Sequence, residues 1–364
     1  MIATASVTTP STRRVPHGLA PAGLVLCGAL LSLVGMAWDI QWHNDVGPDT
    51  FFTLPHLVLY LGSATAGLTS LAVVLATTAA RRQGRPIDPS VGGRPVGVFG
   101  RTFTAPVGYL VAGTGAALFL LYGLWDEWWH SLYGFDVMLA SPPHNGLLLS
   151  IQLTMTGALV VFASARERRW GAIGIIMTIS TSVAFGVVTT AGVEGLPIDD
   201  DIAAPVGTVF MCALLVTLAA RALDWLGSAV TVAVVVAAIQ AVLWWFAPWA
   251  TRVYANASGL PLRDYTEGVS QHAARIPMLL VVFGVLVAAL RRQPAWLVGG
   301  IGGAVLGVAA PLQQAWLYGL DRPATADVIV VATVAALLAA LAGFLGARCA
   351  EILRHVMRQE ASHA

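Results

Sequence analysis

The chain has 364 residues, of which 57% are apolar and 11% charged, with a formal net charge of +1. Its charged fraction is less than half the ~25% of a soluble domain, and its mean hydropathy is +0.75; a soluble chain so composed would expose large apolar patches and aggregate. Soluble enzyme, nucleic-acid binder and disordered chain are thereby excluded as overall classes. What remains is an all-α polytopic transmembrane bundle of about ten helices, at ~20 residues per span.

Ten apolar segments, each bounded by charge or by Gly/Pro-rich sequence, are expected at roughly 19–38, 51–79, 107–125, 143–164, 170–191, 204–223, 228–248, 275–291, 295–312 and 325–347. Arg13 and Arg14 precede an apolar run with no convincing cleavage site, so that run reads as a retained first helix. The Arg-, Gly- and Pro-rich connection 80–106 reads as irregular. Cys27, Cys212 and Cys349 are too few and too far apart for a disulfide framework and read as small buried residues.

All 20 basic residues are arginines, and with the N-terminus inside, 16 fall on inside loops and four (Arg252, Arg263, Arg275 and Arg322) on outside loops. This asymmetry predicts that both termini are cytoplasmic and that residues 39–56 and 126–144 lie on the outer face of a bacterial plasma (inner) membrane.

Those two outside stretches repeat each other. Trp38, Asp39, Trp42, His43, Gly47 and Asp49 align with Trp125, Asp126, Trp129, His130, Gly134 and Asp136, and one inserted residue then brings Pro55-His56 onto Pro143-His144. Helices 1–2 and 3–4 therefore read as a duplicated hairpin occupying residues 1–165, with six further helices over 166–364. The pattern is Asp-x3-His-x12-His in the first copy and Asp-x3-His-x13-His in the second.

Spacing suggests the chemistry. If helix 1 continues through residue 43, Asp39 and His43 share a face at i and i+4, and a short loop brings His56 back beside them. Asp126, His130 and His144 repeat the set. Two histidines and one carboxylate are a recurrent transition-metal set with open positions, and ionisable side chains at membrane depth are usually functional. The competing reading is interfacial anchoring, which suits Trp38, Trp42, Trp125, Trp128 and Trp129 as an aromatic belt better than it suits the histidines. Asp45, Asp49, Glu127 and Asp136 read as solvated loop acids, turn residues or caps. Asn44 and Asn145 are candidate supports for the metal-binding imidazoles.

At these residues the chain resembles the C subunit of the copper membrane monooxygenases, the particulate methane and ammonia monooxygenase family. That subunit carries Asp-x3-His-x12-His across one hairpin and Asn-x3-His-x13-His nearby. The resemblance implies one copper site at Asp39, His43 and His56 and a second at Asp126, His130 and His144. The second copy departs in having Asp126 where the family has asparagine, a change that adds a harder, anionic ligand and admits iron or zinc. The likeness covers helices 1–4 only. It implies oxidation of a small apolar substrate with O2, and further membrane subunits or a homo-oligomer.

The alternative is a metal-handling membrane protein (uptake, acceptor or transport) without oxygenase activity. Transport would call for polar ligands at the midplane on broken helices, whereas these ligand-like residues stand at the outer ends and the helix interiors read as bare. Haem ligation by His43, His56, His130 and His144 fits poorly with an aspartate four residues before a ligand. The remaining signals are weaker: acidic Asp199–Asp201 read as solvated, and Asp264, Glu267 and His272 could form a degenerate third copy. His17, His355 and His363 read as solvated on the cytoplasmic side.

Overall fold

A computed structural model describes residues 18–47, 49–134, 141–189, 199–223, 225–266 and 268–361. Among these, eleven helices and one small hairpin follow in order: α1 (Leu19–Asp45), α2 (Leu54–Arg82), β1 (Pro95–Val98), β2 (Phe103–Pro106), α3 (Val107–Tyr133), α4 (Pro142–Ala163), α5 (Arg169–Thr189), α6 (Asp200–Ala222), α7 (Ser228–Ser258), α8 (Gln271–Arg275), α9 (Leu280–Ala289), α10 (Ala295–Leu317) and α11 (Thr325–Ala361). Ten helical segments are long and apolar enough to cross a membrane, with α8 and α9 together making one of them. The protein is an all-α, multi-pass membrane bundle, and its outward-facing leucines and valines meet lipid.

Several boundaries and local structures differ from the sequence expectation. Residues 80–106 are not wholly irregular: β1 and β2 pair antiparallel, with Pro95 opposite Pro106 and Val98 opposite Phe103. The turn holds Phe99, Gly100 and Arg101 at positive φ, and the Thr78 hydroxyl ties β2 to α2 by accepting from Thr104 N at 2.9 Å. Strands of four residues are too short to show a period of two against a Pro/Gly-rich background. Asp199–Asp201 are exposed, as expected, but they open α6 rather than forming a loop: Asp199 caps it by accepting from Asp201 N at 3.0 Å, and acids there complement the helix dipole. Of the cysteines only Cys212 is buried; Cys27 and Cys349 are exposed on their helices.

The helix interiors are also less bare than expected. The eighth span breaks at Ile276–Leu279, before and after Pro277, and glutamines from its neighbours occupy the freed backbone. Gln240 donates to Ala273 O and Ile276 O at 2.9 Å each. Gln313 donates to Ala274 O (2.8 Å) and Ile276 O (2.9 Å) and accepts from Met278 N (2.8 Å). A chain break at membrane depth is tolerated only where its polar groups find such partners.

The duplicated hairpin extends well beyond the loops that reveal it. Gly28 on α1 lies so close to α2 that a β-carbon there would sit 2.6 Å from Gly62 O and 2.9 Å from Ala66 N. Gly115 on α3 lies equally close to α4, where its β-carbon would sit 2.7 Å from Ser150 O and 2.5 Å from Thr154 N. Gly28 and Gly115 share the repeat offset of the aspartates. Gly62/Ser150 and Ala66/Thr154 share that of His56/His144. One close helix crossing is therefore built twice, and it sets how the two arms of each hairpin present their ends.

Candidate metal centre

Each arm delivers its residues by simple helical geometry. Helix α1 runs on through Asp45, which places Asp39 and His43 one turn apart on one face; α3 does the same for Asp126 and His130. The returning helices begin at Leu54 and Pro142, so His56 and His144 each occupy the third helical position. Proline in the first turn supplies a φ already suited to the helix. Ser141 caps α4, its hydroxyl accepting from His144 N at 3.3 Å.

The six expected residues come together as two groups, and the first has a fourth member. His56 Nε2 lies 3.0 Å from Asp39 Oδ1 and 3.3 Å from Asp49 Oδ2. His43 Nε2 lies 3.6 Å from Asp39 Oδ1 and 3.4 Å from Asp49 Oδ2. In the second group His130 and His144 stand 3.5 and 3.4 Å from Asp126 Oδ1, with their Nε2 atoms 3.4 Å apart. Ligands held at ~2.05 Å around a tetrahedral ion are separated by about 3.3–3.4 Å. The observed spacings are those of the edges of such a polyhedron. Within each group the candidate ligand atoms all lie within 4.8 Å of one another.

Two further observations fit a cation. The buried Oδ1 atoms of Asp39 and Asp126 face only the imidazoles of their own group, although buried carboxylate oxygens ordinarily also find donors elsewhere. The far nitrogen of one ring in each group is committed as well: His56 Nδ1 is 3.0 Å from Thr50 O, and His130 Nδ1 is 2.9 Å from Gly134 O. An Nδ1–H donated to a carbonyl leaves the Nε2 lone pair free to face a metal, the outer-shell arrangement usual for ligating histidines. These supports come from loop carbonyls rather than from the expected asparagine; Asn44 instead donates to Asp45 Oδ1 at 2.8 Å.

Asp49 is the functional residue that sequence reasoning misplaced. Its side chain is only 1% exposed and is not a solvated acid. It follows the helix end by several residues, so no helical spacing links it to the ligands, though its place in the repeat did mark it. Asp136, its counterpart, lies outside the described residues. Asp45 is likewise buried and structural, receiving 2.9 Å from Gln41 Nε2. Glu127 is exposed on α3 at the rim.

No third site forms from the other expected residues that are described. His272 is fully buried and its Nε2 lies 3.0 Å from Ala184 O, while Asp264 is exposed; Glu267, His17 and His363 and the His355 side chain lie outside the description. The aromatic belt is also only partial. Trp125 and Trp128 are exposed, but Trp38 and Trp42 are buried against Tyr254 of α7, at 6.0 and 4.7 Å between centroids.

Both groups line one cavity of about 350 Å³, whose remaining wall is largely apolar: Met36, Ile40, Leu59, Phe119, Leu147 and Leu148. Arg263 closes one side. Its guanidinium donates to His43 O at 3.0 Å and its backbone N–H to Asp45 O at 2.8 Å, so the α7–α8 connection is strapped onto the end of α1. Gly47, at φ 102, makes room for it, since a β-carbon there would strike the guanidinium.

Comparison with family models, with characterised proteins and with solved structures yields no match. The fold and the site therefore define the class by themselves: a multi-pass helical membrane protein with two groups of histidine and aspartate side chains able to hold metal ions.

Proposed function

We propose that the chain is a plasma-membrane copper protein, each of whose hairpins holds one ion near the outer face, and that it oxidises a small apolar substrate with O2. The observation that carries this reading is the convergence of both ligand groups on one cavity with an apolar wall. Copper suits a nitrogen- and carboxylate-bearing set, with iron and zinc as the alternatives, and when bound it would supply O2 activation. The four-helix resemblance to the C subunit of the copper membrane monooxygenases supports the same reading and adds further membrane subunits or a second copy as partners.

The chain's own residues account for the remaining requirements. His56 and His130, fixed through Nδ1, present Nε2 without rotating. Phe119, Leu147 and Leu148 exclude water and favour a hydrocarbon over a polar competitor. Insertion of one oxygen atom into a C–H bond sends the second to water and consumes two electrons and two protons from an external reductant.

The metal-handling reading shares the ligands and predicts no turnover. Its appeal lies in the broken eighth span, a feature of transporters. Against it, the carbonyls exposed by that break are already taken by Gln240 and Gln313. The discriminating experiment is O2 uptake by reduced, copper-loaded protein in nanodiscs with a small alkane present. Substrate-dependent uptake with formation of the alcohol is expected; stoichiometric copper with no O2 consumption under any reductant would transfer the assignment to metal handling.

A further inference from the structure

A second cavity, of about 720 Å³, lies along the seam between α2 and α3, where the first hairpin meets the second. It is bordered by Leu68, Leu71, Leu120 and Leu124, each more than half exposed on the lipid-facing surface. Its floor is formed midway by close helix approach, where a β-carbon on Gly67 would lie 2.9 Å from Ala116 Cβ and one on Gly113 3.2 Å from Ser70 Cβ, and the lining runs on to Val74, Tyr109 and Leu110. Its upper end abuts the metal cavity. Phe51, Tyr60, Phe119 and Gly123 line both spaces.

Tyr60 is the partition. Its ring stacks on that of His56 at 6.0 Å, lies 5.1 Å from Phe51 and 6.1 Å from Phe119. One turn of α2 thus places a metal-facing imidazole and the wall of a lipid-side cavity back to back. The second hairpin has no equivalent, because the repeat puts Leu148 at this position.

The lining also restricts what can bind. The Ser70 and Thr114 hydroxyls are turned onto their own helices, donating to Ala66 O and Leu110 O at 2.8 Å each. The rest of the wall is leucine, valine, alanine and glycine, with Ser63 and the rings of Phe51, Tyr60, Tyr109 and Phe119. A ligand with many hydrogen-bonding groups would leave most of them unpaired against so largely apolar a wall, whereas an alkane would lose nothing. Access is from the bilayer, where such molecules concentrate.

We propose that the α2–α3 seam is the binding site for an alkane-like substrate entering from the bilayer, and that the Tyr60 ring separates this site from the metal cavity. The proposal rests on the oxidative reading above, but binding is tested without turnover. The probe is a short n-alkyl chain bearing a terminal diazirine, photolysed with the protein in nanodiscs, with excess n-hexane as competitor. Label is expected in peptides containing residues 51–71 and 113–124, displaced by n-hexane. Ala117→Trp, placed on the exposed wall where it need not disturb the core, should reduce that label by at least about tenfold while metal content stays that of the parent. Tyr60→Ala should let label spread to peptides containing His130 and His144, outside the seam. Label spread evenly over lipid-facing helices, label not displaced by n-hexane, or label indifferent to Ala117→Trp would each overturn the proposal. Seam labelling in a protein that consumes no O2 would leave the site standing and remove the oxidative reading alone.

Discussion

Asp49 offers the sharpest test of how the first site is built. Its Oδ2 lies 3.3 and 3.4 Å from the two Nε2 atoms of that group, so it spans two edges of the polyhedron a bound ion would fill. Asp49→Asn keeps the shape and removes the charge. Disrupting a residue that merely supports a ligand weakens metal binding by roughly 10- to 100-fold. A carboxylate that is 1% exposed and within 3.4 Å of both imidazoles belongs at the upper end, about 100-fold or about 2.7 kcal/mol. The assay is competition against a chelator of known affinity in nanodiscs, with the metal counted after each step. One ion per chain should become easy to strip while the second, held by Asp126, His130 and His144, keeps its affinity. Unchanged retention of both ions would show that Asp49 only neutralises imidazolium, and equal loss of both would show that the two groups do not bind separately.

Other predictions follow from the same geometry. Arg263→Ala should loosen the end of α1 and weaken the first site while leaving the second, read by the same chelator competition; equal weakening of both would contradict the strap. Gly28→Ala and Gly115→Ala each force a β-carbon into backbone and should destabilise by about 1–3 kcal/mol. In thermal unfolding the two should behave alike, as the repeated crossing requires. Gln313→Leu takes the acceptor from Met278 N and one of two donors from Ala274 O and Ile276 O, which keep Gln314 and Gln240, and should destabilise by about 1 kcal/mol without altering metal content. Acidification should release metal from both hairpins, since imidazole ligands bind metal only when deprotonated; metal that stayed bound at low pH would argue for a site without histidine.

Much of this was legible in the sequence because membranes simplify the code. Uninterrupted apolar runs expose spans directly, and ten were found, though α1 and α3 run past their apolar stretches through Asp45 and Tyr133. The two triplets were legible because duplication writes the same side chains twice. What stayed hidden depends on tertiary placement. Asp49 faces the two imidazoles from the connection between α1 and α2, where no helical period links it to them. Gln240 and Gln313 look like isolated polar residues until the break at Pro277 gives them carbonyls to serve. Trp38 and Trp42 have the composition of an interfacial belt, and packing against Phe246 and Tyr254 of α7 buries them. The seam cavity leaves no motif, since glycine and alanine at 113–117 read equally well as ordinary membrane packing.

The central claim is that each hairpin holds its own metal ion, and counting metal in purified protein and its variants tests it most directly. Protein reconstituted with copper and freed of loosely bound ions should carry two per chain, one for each ligand group. His43→Ala and His130→Ala should each carry one, and the double variant none, with helical content unchanged by circular dichroism. A folded double variant that retains the wild-type metal content would contradict the account.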